Sequence, residues 1–153
     1  MGTIVMEDCL TVEEISAEGY AHVYKIEDSS VELKALVCLH DTTLGPCLGG
    51  TRIQPYPDFD SALTDVKRLA KGMTYKSALA GCSLGGGKSV IIADPAKDKT
   101  PELLKSFGRA LNILGGSYVA AEDAGCTTDD IAVVASVSKY VVGLVHEKSS
   151  GNP

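Results

Sequence analysis

Alternating and periodic hydrophobic positions divide the chain into a strand-rich first part and a second part in which helices and strands alternate. Residues 20–26 alternate with β-forming side chains and residues 34–39 are an aliphatic run, so the pattern predicts two strands. The polar residues between them predict a turn, and the pair therefore a hairpin. Ahead of it, Thr11 and Glu14 have the spacing of a capping box, which predicts a short helix over residues 11–17.

The middle of the chain combines a glycine- and proline-rich segment with a helical pattern. Residues 40–57 hold three glycines and three prolines, which predicts a long structured loop. Residues 60–76 carry apolar side chains at spacings of three and four, which predicts an amphipathic helix. Residues 81–89 contain four more glycines, and we expect a loop that opens the next strand.

The last third of the chain alternates strand and helix. Its predicted elements are a strand at 90–93, a helix from Thr100–Pro101 to Gly115–Gly116, a strand at 118–121, a helix at 128–137 and a strand at 140–142. Such alternation is typical of parallel strands joined by crossover helices, and the hairpin adds antiparallel strands. The sequence therefore predicts an α/β domain with a mixed, partly parallel sheet flanked by helices.

Composition and charge exclude several classes of function. The chain has 153 residues, enough for one domain, and 44% of them are hydrophobic. Its net charge of −6 argues against a nucleic-acid partner, because phosphate affinity depends on clustered basic charge. No apolar run is long enough for a membrane-spanning helix, which argues against a membrane partner. Five cysteines without a Cys-x-x-Cys pair favour a cytoplasmic protein with reduced thiols and no metal site.

The Gly-Lys-Ser sequence that ends at Ser89 invites comparison with a phosphate-binding loop. Cys82 stands where that motif requires its first glycine, and the segment opens a strand instead of a helix, so the phosphate-loop hypothesis is rejected. Two interpretations stay open. Either the glycines let another segment approach closely and deliver Lys88 at a fixed point, or Lys88 is a solvated lysine in a flexible turn.

Two further places combine charge with a defined position. Lys76 falls at the edge of the apolar stripe of its helix, so it is either a lysine favoured by the helix dipole or a partly buried cation that receives a carboxylate. Glu122 and Asp123 follow a strand and precede a helix, where alternation points them to opposite faces. Either one of them faces a ligand, or both are ordinary turn and helix-start acids.

Four segments, taken together, resemble the N-terminal domain of the dehydrogenases that act on glutamate, leucine, phenylalanine and valine, and most of all its leucine branch. The segments are HDTTLGPCLGGTR, RLAKGMTYKSALAG, LGGGKSVIIADP and AAEDAG. The resemblance implies reversible NAD-dependent oxidative deamination of an L-amino acid to a 2-oxo acid and ammonia. It also implies a homo-oligomer, with residues 1–145 as the substrate-binding and oligomerisation domain and residues 146–153 as the start of a linker to an NAD-binding domain.

The resemblance also implies roles for individual residues. Lys76 would bind the substrate carboxylate, Lys88 would act as catalytic base, and Asp123 would assist proton transfer. Gly49 and Gly50 would lie against the substrate. The side-chain pocket would be lined by Leu48, Met73 and Ala121. No NAD-binding residues are expected in this chain. The alternative is a stand-alone binding or oligomerisation module of the same fold that has no catalytic activity.

Overall fold

The computed structural model describes residues 4–144, which form one sheet with helices on both of its faces. The strands are β1 (Ile4–Glu7), β2 (Leu10–Ile15), β3 (His22–Asp28), β4 (Leu33–Asp41), β5 (Cys47–Gln54), β6 (Gly85–Ile92) and β7 (Tyr118–Ala121). The helices are α1 (Phe59–Leu79), α2 (Pro101–Ile113) and α3 (Thr128–Ala135). The predicted α/β class is confirmed.

The sheet is mixed and partly parallel, as predicted. Its strand order is β1-β2-β3-β4-β6-β5-β7. In the first five strands of this order, β1-β2-β3-β4-β6, each adjacent pair is antiparallel. Strand β5 lies parallel to both β6 and β7. The hairpin predicted from the first two strand patterns is confirmed as β3 and β4, with Ile26 opposite Ala35. Helix α1 makes the crossover between the parallel strands β5 and β6.

All three helices begin at side chains that accept hydrogen bonds from the first turn. Asp58 caps α1, Thr100 caps α2, and Thr127 forms a capping box with Asp130 at the start of α3. One face of the sheet packs against α1 and the other against α2 and α3. The α1 side is built mainly from Val23, Leu36, Cys38, Ala62, Val66, Ala70 and Val90, and Phe107, Leu111 and Ile131 contribute to the other side.

The helix predicted over residues 11–17 is wrong, because residues 10–15 form β2. Leu10 and Val12 are buried while Thr11 is half-buried, which is the two-residue period of a strand. Val12 lies opposite Val5 on one side and Ile26 on the other. Pairing along both edges of the strand outweighs a local capping signal.

The loop predicted over residues 40–57 is wrong for its central part, since Cys47–Gln54 forms β5 inside the sheet. A Cβ on Gly49 would overlap the carbonyl oxygen of Gly87 on the neighbouring strand. The glycine is therefore required by close backbone approach, and its presence does not indicate a turn.

The end of the chain is also simpler than predicted. The predicted helix 128–137 ends at Ala135, and the predicted strand 140–142 is reduced to a single parallel bridge between Val141 and Ala120. The predicted linker at 146–153 lies outside the described residues.

Candidate functional site

Glycines in β6 allow the C-terminal part of α1 and the end of β4 to approach the backbone of this strand closely. A Cβ on Gly86 would overlap the backbone nitrogen and the hydroxyl of Thr74 in α1, and one on Gly85 would overlap the carbonyl oxygen of Asp41. The loop predicted over residues 81–89 is therefore wrong from Gly85 onward. Because these glycines lie in a strand, the close-approach interpretation is the one that the structure supports.

Lys88 lies in β6 between β4 and β5, and only 6% of it is exposed. Its Nζ atom is 3.3 Å from Oδ1 of Asp123. A Cβ on Gly50, in the adjacent strand, would be 3.2 Å from the same Nζ atom, so the missing side chain leaves room for the amine. Lys88 is thus a buried lysine paired with Asp123 and not a solvated turn lysine.

Asp123 stands in the tight turn that follows β7. Its backbone nitrogen donates to the carbonyl of Cys126, whose own nitrogen donates back to the carbonyl of Asp123, at 3.2 and 2.9 Å. Glu122 is exposed whereas Asp123 faces Lys88 and Arg52, so the two carboxylates separate as strand alternation predicts. Neither acid caps α3, which begins instead at Thr127.

The Asp123 carboxylate is held in its ionised form. Burial opposes ionisation, but the hydrogen bond from Arg52 and the charge of Lys88 outweigh it, and the pKa of Asp123 lies below its ordinary value. The site therefore presents a fixed negative charge next to a buried amine.

A buried cluster of hydroxyl groups supports the glycines from the other face of the sheet. The Tyr118 hydroxyl donates to the carbonyl oxygen of Gly49 at 2.7 Å and lies 2.9 Å from the Ser89 hydroxyl. Ser89 in turn donates to the Thr51 hydroxyl at 2.9 Å. Burial raises the pKa of Tyr118, so its hydroxyl keeps its proton and remains a donor. The backbone at Gly49 and Gly50 is thereby held rigidly.

The residues predicted to line the side-chain pocket come from three elements, β5, α1 and β7. Leu48, Met73 and Ala121 are half-buried, and Ala121 lies directly opposite Gly50 in the pairing of β5 with β7. Lys76 lies in the last turn of α1 and is exposed, so the partly buried cation of one alternative is not found in this domain. A carboxylate would reach Lys76 from the solvent side.

Arg52 is a residue of this site without a predicted role. Its Nε atom donates to Oδ2 of Asp123 at 2.9 Å, and its Nη1 atom is 3.6 Å from Oδ2 of Asp65 in α1. Arg52 and Gly50 share a strand face because they are two residues apart. That signal was available in the sequence, but the prediction of a loop over this segment concealed it.

His40 serves packing at the end of the sheet. Its Nδ1 atom is 2.8 Å from the Thr74 hydroxyl. Its ring packs edge-to-face with that of Tyr20, and the two ring centroids are 5.1 Å apart. Burial lowers the pKa of His40, which favours the neutral ring.

Residues 4–144 contain no group of three or more His, Cys, Asp or Glu side chains that could hold a metal ion. Within the same range, no helix is both long and apolar enough to cross a membrane.

The mixed α/β sheet thus carries a buried lysine paired with a half-buried carboxylate, and both lie next to Gly50. Residues 19–140 match the family described as Glu/Leu/Phe/Val dehydrogenase, dimerisation domain, and the chain belongs to this family. The resemblance seen in the sequence is confirmed.

Individual relatives are similar to most of this chain. Leucine dehydrogenase from Bacillus subtilis is 48% identical over 135 residues, and that of Geobacillus stearothermophilus is 50% identical over 135 residues. Each alignment covers 88% of this chain but 37% of the relative. The crystal structure of L-tryptophan dehydrogenase from Nostoc punctiforme superposes with a TM-score of 0.79 at 44% identity, covering 81% of this chain and 37% of that one. The chain thus spans little more than a third of the length of these relatives.

Proposed function

We propose that this chain is the substrate-binding domain of an NAD-dependent dehydrogenase that deaminates an aliphatic L-amino acid, of the leucine type, to a 2-oxo acid and ammonia. The observation that carries the proposal is the contact between the buried Lys88 and the half-buried Asp123 beside Gly50. Family membership and leucine dehydrogenases among the relatives support it.

Lys88 is the proposed base that activates water for attack on the imine. A base must lie within hydrogen-bond reach of the group that it serves, so the proposal requires the substrate to lie beside the Lys88 amine, which itself lies next to Gly50. Lys88 acts as a base only after it has lost its proton, and Asp123, 3.3 Å away, is the group that can relay a proton to or from the reacting nitrogen.

Substrate binding divides between a cation and an apolar wall. Lys76 pairs with the substrate carboxylate, and the rigid backbone at Gly49 and Gly50 lies against the amino acid. The half-buried Leu48, Met73 and Ala121 receive the side chain. This wall supplies no positive charge, and burial of an unpaired glutamate side chain there would be costly, so aliphatic substrates are preferred.

NAD is the proposed cofactor, and the described residues do not fit its binding. The glycine cluster that ends at Lys88 lies inside β6, whereas a dinucleotide needs a glycine turn between a strand and a helix N-terminus. Hydride transfer to NAD is therefore a step for a part of the protein beyond these residues. The residues described here bind the amino acid and move protons.

The outer edge of the sheet supports a homo-oligomer. Within the described residues β1 pairs with β2 alone, so its other edge carries unpaired backbone groups. Ile4, Val5 and Met6 on this strand are all exposed. An exposed apolar edge strand is a template for pairing with another strand, and closed symmetric dimers are the usual outcome. We place a contact between copies of the chain at this edge.

Sedimentation of the 153-residue chain tests that placement. We expect the wild type to sediment as a dimer or larger, and Val5→Lys to shift it to a monomer. Leu79→Lys is the matched control, because Leu79 is also apolar and exposed but lies at the end of α1. A monomeric wild type, or dissociation by Leu79→Lys alone, would contradict the placement.

Steady-state kinetics of the full-length protein test the function. NADH formation is measured with L-leucine, L-valine, L-phenylalanine, L-tryptophan and L-glutamate. We expect the aliphatic substrates to give the highest kcat/KM, and Lys88→Ala to lower kcat about 10²-fold or more. Lys105→Ala, at an exposed position of α2, is the control and should change neither constant. A wild type without activity on any amino acid would favour the non-catalytic module.

A further inference from the structure

We propose that Arg52 is a positioning residue that fixes the Asp123 carboxylate so that one of its oxygens stays directed at Lys88. The inference rests on the proposed function, since it assigns a role within that site. The inference goes beyond the proposed function because it names a further residue. Arg52 acts through Asp123 and determines how the Asp123 carboxylate is oriented toward Lys88.

The two oxygens of Asp123 have different partners. Oδ2 accepts from Nε of Arg52 at 2.9 Å, and Oδ1 is 3.3 Å from Nζ of Lys88. The terminal torsion of an aspartate is broad, so an unrestrained carboxylate would rotate its plane away from the direction that points an oxygen at the amine. With Oδ2 held by a charge-assisted hydrogen bond, Oδ1 is the oxygen left for Lys88.

Arg52 is itself held by α1. Its guanidinium lies 3.6 Å from Oδ2 of Asp65, which also accepts from the Tyr56 hydroxyl at 2.5 Å. The other oxygen of Asp65 accepts from Arg68 at 2.7 Å. The side chain of Arg52 is 23% exposed, against 68% for Arg68. A partly desolvated arginine anchored at two carboxylates loses less freedom per contact than an isolated surface pair.

The titratable groups around Asp123 lie on four packed elements and in the turn after β7. They are Arg52 on β5, Lys88 on β6, Tyr118 on β7, Asp65 on α1, and Cys126 and Glu122 in the turn. The cations outweigh burial and keep the pKa of Asp123 low. Loss of Arg52 therefore raises this pKa, and the carboxylate becomes protonated at a higher pH.

A purely structural role, in which Arg52 only ties α1 to the sheet, predicts different behaviour. In that case Arg52 would act through Asp65 and not through Asp123. Arg68 provides the matched control. It is also an arginine, and the ion pair that it forms in the structure is with Asp65 and not with Asp123. Arg52→Gln and Arg68→Gln remove the same charge from the same anchor.

The first measurement does not depend on activity. The Asp123 carboxyl carbon of the 153-residue chain is titrated by ¹³C NMR, with its resonance assigned by its loss in Asp123→Asn. We expect Arg52→Gln to raise the pKa of Asp123 and Arg68→Gln to leave it near the wild-type value. An unchanged pKa in folded Arg52→Gln would overturn the inference.

The second measurement uses the full-length protein. We expect Arg52→Gln to lower kcat about 10- to 100-fold with KM for leucine little changed, because a misplaced catalytic group costs rate and not uniform binding. The acidic limb of its kcat/KM profile should move to higher pH. Arg52→Lys keeps the charge but not the planar fork, so it should restore the position of that limb while kcat stays low.

The outcomes separate this inference from the function on which it rests. An active wild type with an Arg52→Gln variant that keeps its kcat refutes the role of Arg52 alone. A loss of rate that merely follows the loss of folded protein, equal in Arg68→Gln, also refutes it. A wild type that deaminates none of the amino acids refutes the proposed function and the role together.

Discussion

Replacement of Gly50 by alanine should disturb the candidate site and destabilise the fold together. The new Cβ would be 2.6 Å from the carbonyl oxygen of Glu122, 2.8 Å from Cβ of Asp123 and 3.2 Å from Nζ of Lys88. Non-bonded carbon contacts are favourable at about 3.5–4.0 Å. The turn after β7 must therefore move, although its hydrogen bonds with Cys126 oppose any shift.

The magnitude follows from the cost of overpacking. Extra atoms in a well-packed region cost about 1–3 kcal/mol, and each kcal/mol lowers Tm by roughly 2–4 °C in a domain of this size. We expect Gly50→Ala to lower Tm by roughly 2–12 °C on this basis. The displaced turn also carries Asp123 away from Lys88, so activity of the full-length protein should fall even at temperatures where the variant is folded.

Gly72 offers a matched control for the same substitution. It lies in α1, and a Cβ there would have no heavy atom within 4 Å. Alanine in a helix is favoured over glycine by roughly 0.5–1 kcal/mol, so Gly72→Ala should raise Tm slightly. Thermal unfolding followed by circular dichroism compares the two variants. Unchanged stability of Gly50→Ala, or equal losses in both, would refute the steric argument.

Three further changes have defined outcomes. Lys76→Ala should raise KM for leucine about tenfold to a hundredfold in steady-state kinetics, because a charge-assisted contact of roughly 1.5–3 kcal/mol is lost; an unchanged KM would argue against carboxylate binding. Although Asp28 is buried, hydrogen bonds from Ser106 and Ser30 keep its pKa low, so its stabilisation is present above its unfolded pKa and lost as pH falls through the folded value. Ser106→Ala should therefore destabilise the domain most at neutral pH, by about 1–3 kcal/mol. In urea unfolding, the difference in unfolding free energy between wild type and variant should be smaller at acidic pH than at neutral pH. Thr127→Ala should cost about 0.5–2 kcal/mol at the start of α3 while Thr127→Ser costs less, and equal losses in denaturant unfolding would contradict the capping role.

Elements whose signal is local could be predicted from the sequence. The caps and apolar spacing of α1, α2 and α3 depend on neighbours within a few residues, and so does the alternation in β3. The predicted helix at residues 11–17 shows the limit, because pairing with two neighbouring strands determines the state of β2.

Glycines account for the largest errors in the predicted fold. Their pattern in β5 and β6 predicts loops. In the structure Gly49 is needed because Gly87 of the next strand lies against it, and Gly86 is needed because Thr74 of α1 lies against it. Such contacts join distant parts of the chain and leave no local pattern. The same close approach allows Lys88 to be buried beneath the helix.

The candidate site could be predicted in part. Lys88 and Asp123 stand out by residue type and position, and the structure brings them to 3.3 Å. Arg52 has no predicted role, because the loop predicted over residues 40–57 hides the strand face that it shares with Gly50, and its partner Asp123 is 71 residues away in the chain. The roles in catalysis and substrate binding remain predictions.

A crystal structure of the full-length protein with the 2-oxo acid of leucine would locate the substrate relative to these residues. We expect the ligand carboxylate within about 2.7–3.2 Å of the Lys76 amine and the keto carbon beside Lys88 and Gly50. The aliphatic chain should lie against Leu48 and Met73. A ligand bound elsewhere, or one whose keto group lies beyond hydrogen-bond reach of both Lys88 and Asp123, would contradict the assignment of this site.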